Sequence, residues 1–195
     1  GIVRGDGHVG SYFYERPGRA HGNVHHFRLA LTDIEALQRA RDYLVAEEIA
    51  TSERVYRRAV GTHREMIAIG TGSRPLVERI GQVIEWPALP SLDWCCGFLA
   101  GIFDAEGCRS AFALRIANTD PKILAWSEAA AKRLGFGTAF DRTNKCNGLT
   151  YIRITGGLSE HLRFFHVTDP AITRKRSIEG QTVSYTHLTL PTILR

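Results

Sequence analysis

Apolar and polar positions alternate along one stretch of the chain, and nearly the same pattern recurs further on. Residues 27–33 read FRLALTD, and residues 114–120 read LRIANTD. Alternation of this kind predicts a half-buried strand, whereas the apolar spacing that follows each Thr-Asp is typical of a helix. We therefore predict helices over about 33–47 and 121–134, each entered from a strand.

The two predicted helices carry different signals at their starts. Thr32 and Glu35 form a capping-box pattern in the first copy. In the second copy Asp120 can cap the helix, and Pro121 suits its first position. Two strand-like runs and another helix follow in each copy, at about 54–60, 65–70 and 74–84, and at about 137–142, 149–155 and 158–166.

This repetition predicts an α+β fold made of two pseudo-symmetric αββαββα repeats. We place the first repeat at residues 1–85, a stiff proline-containing linker at 86–91, and the second repeat at 92–182. Residues 183–195 begin VSYTHLTLPT, which looks like translated sequencing adapter, so we leave them out of the fold prediction. The alternative for this tail is a genuine C-terminal strand.

A motif of small residues ending in an acid opens each repeat. Residues 99–107 read LAGIFDAEG, and residues 1–7 read GIVRGDG, which lacks the first two positions of the same pattern. We therefore expect the first helix to lack its leading residues. Small side chains on one helix face allow two such helices to pack closely. The residues expected to form this contact are Gly1, Ala100, Gly101 and Ala105.

Each motif helix ends in an acid followed by glycine, at Asp6–Gly7 and Glu106–Gly107. We expect these glycines to adopt the left-handed conformation common at helix ends. A carboxylate there lies at the negative end of the helix dipole, which favours a neutralising cation. Two facing helices would bring the acids together as a site for a hard cation, for which we predict Mg²⁺. The alternative is a pair of solvated helix-end acids.

The motif resembles the LAGLIDADG motif of DOD-type homing endonucleases. Over residues 1–180 the chain resembles inteins that interrupt actinobacterial radical-SAM proteins, in stretches such as GDGHVGSY and DWCCGFLAGIFDAEG. The resemblance implies a saddle of two antiparallel sheets around a central helix pair. It also implies a monomeric, site-specific double-strand DNA endonuclease, with Asp6 and Glu106 as the catalytic and metal-binding residues.

The chain departs from the family pattern at two points. Arg4 stands where the second copy has Asp104, so we expect Asp104 to make a surface or capping contact and not to act catalytically. Neither copy has a lysine at the end of its second hairpin, where relatives often carry a basic active-site residue. The basic run 174–176 is either a solvated turn or a phosphate contact, and His8 is a possible neighbour of the active site.

Strand parity separates a core face from an exposed face. Phe27, Leu29 and Leu31 are predicted to point inward in the first repeat, as are Leu114 and Ile116 in the second. On a saddle, the outward residues would lie along a DNA major groove, where arginine contacts guanine and phosphate. The alternative is ordinary half-exposed strand residues. The predicted DNA-binding residues are His26, Arg28, Arg115, Tyr151 and Arg153.

Composition is compatible with this interpretation. The formal net charge is +5 and the isoelectric point is about 9.2, which suits a nucleic-acid partner. Arginine supplies 21 of the 25 basic residues, which could equally reflect a GC-rich genome. The sequence has no run of 18 apolar residues, no secretion signal and no CxxC pair. We therefore expect no membrane span, a cytoplasmic location, reduced thiols and no zinc finger.

Two other functions stay open at this stage. One is a degenerate LAGLIDADG module that binds DNA without cutting it, as in a family of bacterial sporulation regulators. The other is a fragment of a self-splicing intein whose partner is its host protein. The chain shows no splice-junction Cys or Ser at its start and no terminal His-Asn pair, so we expect the splicing half to be missing.

Overall fold

Helices and strands follow the predicted order in both halves of the chain. The computed structural model describes residues 1–15, 18, 22–110, 112–142 and 148–178, so the predicted tail at 183–195 lies outside the described residues. The first repeat consists of α1 (Ile2–Asp6), β1 (Gly7–Phe13), β2 (Asn23–Leu31), α2 (Ile34–Ala46), β3 (Ser52–Arg57), β4 (Met66–Thr71) and α3 (Arg74–Val83). The second consists of α4 (Leu92–Glu106), β5 (Gly107–Ser110), β6 (Ala113–Asn118), α5 (Pro121–Arg133), β7 (Thr138–Arg142), β8 (Thr150–Ile154) and α6 (Gly157–Thr168), and α7 (Thr173–Arg176) follows.

Each repeat contains one four-stranded antiparallel sheet, and the two sheets share one topology. The strand orders are β1-β2-β4-β3 and β5-β6-β8-β7. In each sheet the second strand is central and pairs with the first and fourth strands of its repeat. The predicted α+β class and the αββαββα order are therefore confirmed.

The helices cover one face of each sheet, which places the core there. Phe27 and Leu29 of β2 are fully buried, as are Leu114 of β6 and Ile152 of β8. The first core joins β2 and β4 to α2 and α3, and the second joins β6 and β8 to α4, α5 and α6. The predicted strand parity is confirmed, and the opposite face of each sheet remains available for a partner.

The predicted cap at the start of α5 is confirmed, whereas the capping box predicted at the start of α2 is not formed. In α5 the Asp120 carboxylate accepts a hydrogen bond from the Lys122 backbone N–H at 2.7 Å, which confirms that cap. The capping box at Thr32 is wrong, since Asp33 is the N-cap residue of α2 and makes no side-chain cap bond. Asp33 and Glu35 instead bind residues near the C-terminal end of the described chain.

The segment that follows the last helix of each sheet packs into the other repeat. Ala171 and Ile172, which follow α6, are 6% and 3% exposed in the core of the first repeat. Trp86, which follows α3, packs against the core of the second repeat and stacks on Trp126 with ring centroids 5.0 Å apart. The two repeats are therefore joined by reciprocal apolar contacts in addition to the pairing of α1 with α4.

Two simpler features complete the described fold. No helix in the described ranges is both long enough and apolar enough to span a membrane. Cys95, Cys96 and Cys108 are free thiols, with Cys95 buried and Cys108 exposed. Cys146 lies outside the described residues.

Candidate active site

Glycine and alanine bring α1 and α4 into close contact. A Cβ atom added to Gly101 would lie 2.5 Å from the Ile2 backbone nitrogen, and one added to Gly5 would collide with the Ala105 Cβ. A Cβ atom added to Gly1 would collide with the Phe98 backbone carbonyl. The sequence prediction missed Gly5, although it occupies the same motif position as Ala105.

Ala100 has a different position from the other small residues of the motif. It is buried, but it lines a cavity of about 470 Å³ that is also lined by Gly1, Ala40, Asp104 and Thr168. Its small side chain therefore faces the space beside α2 and the end of α6, at the opposite end of α1 from Asp6.

The glycines that follow the two acids are needed for space, and the expected left-handed conformation is wrong. Gly7 has φ −84° and Gly107 has φ −79°, both extended. A Cβ atom on Gly7 would collide with Val3, and one on Gly107 would collide with Phe103. Each glycine lets a strand begin directly after the helix, so each acid lies at a helix–strand junction.

Asp6 and Glu106 end the two paired helices and influence each other electrostatically. Asp6 is exposed and Glu106 is half-buried. Protein atoms around the two carboxyl groups partly desolvate them and so raise the pKa of both, although the Asp6 side chain still reaches solvent; the negative charge of Asp6 raises the pKa of Glu106 further. The charge of Asp6 therefore disfavours ionisation of Glu106, and a shared cation would relieve that repulsion.

Lys175 is a basic neighbour of both acids that sequence reasoning missed. Its charge lowers the pKa of Asp6 and of Glu106, against the effect of burial. Its ammonium donates to the carbonyl oxygens of Asp104 at 2.6 Å, Ala105 at 3.2 Å and Phe103 at 3.3 Å. Lys175 belongs to the basic run predicted as a solvated turn or a phosphate contact, and no sequence signal connects it to the acids. The solvated turn is wrong, because this run is bound to the protein.

Asp104 and Arg4 occupy the same position of the two motifs, and each binds the backbone of the segment that follows the last helix of a repeat. Asp104 is 5% exposed and accepts hydrogen bonds from the backbone N–H groups of Ala171 at 2.7 Å and Ile172 at 2.9 Å. The expected surface position of Asp104 is therefore wrong, while a capping-type contact is what the structure shows.

In the first repeat the corresponding segment presents a backbone acceptor instead of donors. Arg4 donates to the Ile84 carbonyl, and its guanidinium lies 3.7 Å from the centre of the Trp86 ring. The Arg4 guanidinium is a donor, so it can bind the Ile84 carbonyl. The Asp104 carboxylate is an acceptor, so it binds N–H groups in the second repeat. The structure therefore explains why arginine stands at this position, and Arg4 does not replace either Asp6 or Glu106.

The donor set at the helix ends fits a magnesium-type ion that is completed by other ligands. Among the described residues no group of three or more His, Cys, Asp and Glu side chains could hold a metal. Two carboxylates are nevertheless enough for Mg²⁺, which keeps several waters and is typically bound by one or two carboxylates together with substrate phosphates. Asp6 and Glu106 would be those ligands, and an all-protein metal cage is not present in the described part of the chain.

The outward face of the first sheet combines basic and aromatic side chains. The Arg28 guanidinium lies 4.7 Å from the centre of the Tyr56 ring, and His8 lies beside His26 with ring centroids 5.5 Å apart. Burial lowers the pKa of His26, and the neighbouring Arg28 lowers it further, so this imidazole is neutral near pH 7. His8 also hydrogen-bonds the Tyr12 hydroxyl, which assigns it to this face.

The outward face of the second sheet carries two arginines held by one acid. Arg115 of β6 lies directly opposite Arg153 of β8, with Tyr151 on the same face. Like charges in such a pair repel. Asp141 of β7 offsets that repulsion, since its carboxylate lies 3.0 Å from Arg153 and 3.6 Å from Arg115. Sequence reasoning missed Asp141, which becomes a neighbour only through the pairing of β7 with β8.

Comparisons with known proteins agree with this fold. The model of the family described as LAGLIDADG-like domain matches residues 93–166. The structure is similar to mesophilic variants of the homing endonuclease I-DmoI, with a TM-score of 0.66, 15% identity and coverage of 86% of this chain and 90% of that chain.

Two further solved structures show the same architecture. The crystal structure of I-DmoI in complex with DNA and Mn gives a TM-score of 0.67, 14% identity and coverage of 86% of this chain and 91% of that chain. The N-terminal LAGLIDADG domain of DUF199/WhiA gives a TM-score of 0.57 and 13% identity, with coverage of 86% of this chain and 76% of that chain. Among proteins with curated descriptions, none is significantly similar to this chain in sequence.

Proposed function

We propose that this protein is a site-specific double-strand DNA endonuclease, because residues 93–166 match the LAGLIDADG-like domain family and 86% of the chain shares the fold of I-DmoI variants. The observation that carries the proposal is the carboxylate at the end of each paired helix, Asp6 on α1 and Glu106 on α4. Two acids related by pseudo-symmetry can serve two strands of one duplex. The outward arginines and aromatics of the two sheets supply a surface suited to DNA.

We assign different roles to the two sheets and to the helix pair. The sheets bind and orient the duplex through residues such as Arg28, Arg115 and Arg153, and the helix pair presents the acids to the backbone between the two sheets. Asp6 and Glu106 would hold a divalent cation, for which we propose Mg²⁺. That cation would supply Lewis acidity at the scissile phosphate and a bound water of lowered pKa. Solved structures of I-DmoI and its variants contain DNA with Mn, Ca or Mg, which supports a divalent cation here.

The biological setting is a finer part of the proposal. The resemblance of residues 1–180 to inteins supports an origin as the homing domain of an intein, carried by a host protein. Both acids come from one chain, one from each pseudo-symmetric repeat, which supports action as a monomer. A DNA target also supports a cytoplasmic location in a bacterial cell.

A module that binds DNA without cutting it is the second candidate, favoured by the similarity to the LAGLIDADG domain of DUF199/WhiA. The two acids weigh against it, because a module without cleavage has no need for two partly desolvated carboxylates that repel each other. The departure from the motif at Arg4 does not favour it, since Arg4 donates a hydrogen bond to the Ile84 carbonyl.

The experiment uses a supercoiled plasmid that carries the proposed host gene without its intein, so that the two host sequences flanking the intein are joined directly. We expect the natural protein that contains this sequence to linearise this plasmid in Mg²⁺, and Asp6→Asn or Glu106→Gln in that protein to abolish cleavage while keeping DNA binding in Ca²⁺. Glu128→Gln is the matched control, because Glu128 forms a surface ion pair with Lys132 within α5. Full cleavage by both acid variants would refute the assignment, and binding without any cleavage by the parent chain would favour the binding module.

A further inference from the structure

Residues 169–176, which we name the strap, run from the end of α6 across to the first repeat. Ile172 is buried in the core of the first repeat, while its backbone N–H donates to Asp104 of α4. The Thr173 N–H donates to Glu35 of α2 at 2.6 Å. The strap is therefore held by both repeats at once, through an apolar anchor and several hydrogen bonds.

The two arginines that flank Lys175 are each bound to an acid. Arg174 makes two hydrogen bonds to the Asp33 carboxylate, at 2.6 and 2.8 Å. Arg176 donates to Asp169 at 2.7 Å. With its neighbours held in this way, Lys175 is directed at the C-terminal end of α4, where its ammonium donates to three successive carbonyl oxygens.

The place that Lys175 occupies concentrates negative charge. The last carbonyls of a helix carry the negative end of its dipole, and Glu106 ends α4 at this point. Asp6 adds a second carboxylate from α1. In the described ranges, Lys175 is the side-chain cation that hydrogen-bonds to this end of α4, and its charge favours ionisation of both Asp6 and Glu106.

We propose that Lys175 is the resident counter-cation of the Asp6–Glu106 pair. It stabilises the paired carboxylates when no metal is bound, and its charge opposes the binding of a divalent cation by the same two acids. The first half of this proposal rests on the strap geometry that holds the Lys175 ammonium against the last carbonyls of α4, beside Glu106. The second half rests on the proposed function, because it assumes that Asp6 and Glu106 bind metal.

The two halves predict opposite consequences of removing the charge. Without its charge, Lys175 no longer offsets the repulsion between the two carboxylates at this end of α4. The metal-free protein is therefore less stable. A divalent cation would then arrive without a neighbouring ammonium to repel it, so it should bind more tightly. A residue that only fills space would produce neither effect.

The metal-free half is tested by a double-mutant cycle of melting temperatures. Lys175→Met changes more than one energy term, because it also removes the cost of burying an ammonium, so the coupling with Glu106→Gln is the informative quantity. We expect Lys175→Met to lower the melting temperature by about 2–4 °C more in the parent chain than in the Glu106→Gln variant. Lys132→Met is the control, since Lys132 is an exposed lysine whose ion pair with Glu128 lies within α5.

The outcome of the cycle decides the counter-cation role without any metal or DNA. Zero coupling between Lys175 and Glu106, or coupling as large for Lys132, would overturn the first half of the proposal. Lys175→Arg keeps the charge and is expected to couple with Glu106 as the parent lysine does. If Lys175→Arg lost the coupling, charge would not be the cause, and the proposal would fail.

The second half is tested by titrating the chain with Mn²⁺ and measuring bound metal by electron paramagnetic resonance. We expect Lys175→Met to bind Mn²⁺ about three- to tenfold more tightly than the parent chain, and Lys175→Arg and Lys132→Met to bind as the parent does. Equal or weaker binding by Lys175→Met would overturn this half. If Glu106→Gln and the parent bind equally, the metal site of the proposed function fails, while the metal-free cycle still decides the role of Lys175.

Discussion

Replacing Asp104 by asparagine should loosen the strap and destabilise the protein. The Asp104 carboxylate is buried and accepts two backbone N–H groups, those of Ala171 and Ile172. Asparagine has the same size but offers only one acceptor oxygen, and its amide donor would face the second N–H. Because the side-chain volume is unchanged, the expected loss comes from the altered hydrogen bonds and not from a new cavity.

The magnitude follows from those contacts. One backbone N–H and one amide donor are left without acceptors, and each buried unsatisfied group costs about 1–3 kcal/mol. Removing a buried charge gives back part of this cost, because burial raises the pKa of Asp104 and so disfavours its ionised form. We expect a net loss of about 1–3 kcal/mol, which lowers the melting temperature by about 2–12 °C at this size.

The assay combines thermal unfolding with limited proteolysis. Asp104→Asn should melt at a lower temperature than the parent chain and should be cleaved faster after Lys175 or Arg176. The control is Asp93→Asn, which alters an exposed aspartate in the first turn of the same helix. If Asp104→Asn melts within a degree of the parent and resists proteolysis equally, the two hydrogen bonds do not hold the strap and this reasoning is refuted.

Other predictions concern the acids and the sheet faces. Burial raises the pKa of Asp6 and Glu106, so the metal-free protein should lose stability as pH rises from the ordinary carboxyl range through their raised pKa, and Asp6→Asn or Glu106→Gln should flatten that loss in melting curves recorded across pH. Alanine at both Arg28 and Arg115 should weaken DNA binding and reduce the salt slope by at most about two, and unchanged binding at several salt concentrations would contradict the docking face. Because burial lowers the pKa of His26, binding should tighten only below the ordinary histidine range, and His26→Asn should remove that part of the pH dependence measured by gel shift.

Much of the fold could be predicted from the sequence because its signals are local. The alternation at Phe27, Leu29 and Leu31 predicted both the strand and its buried face, since successive side chains of a strand point to opposite sides. The repeated motif likewise placed Asp6 and Glu106 at the ends of two equivalent helices. Local spacing was less reliable at helix ends, where Thr32 and Glu35 matched a capping box that the protein does not form.

The tertiary structure alone decided what surrounds those acids. Lys175 reaches the Asp104 carbonyl across 71 positions of the chain, and Arg174 reaches Asp33 across 141. No periodicity links residues at such distances, because these contacts exist only once α6 and the strap have packed against both repeats. The buried position of Asp104, the neutralising role of Asp141 and the placement of Lys175 depend on that packing. The sequence by itself thus determined the repeat, the strands and the paired acids, whereas long-range packing determined the charges that act on those acids.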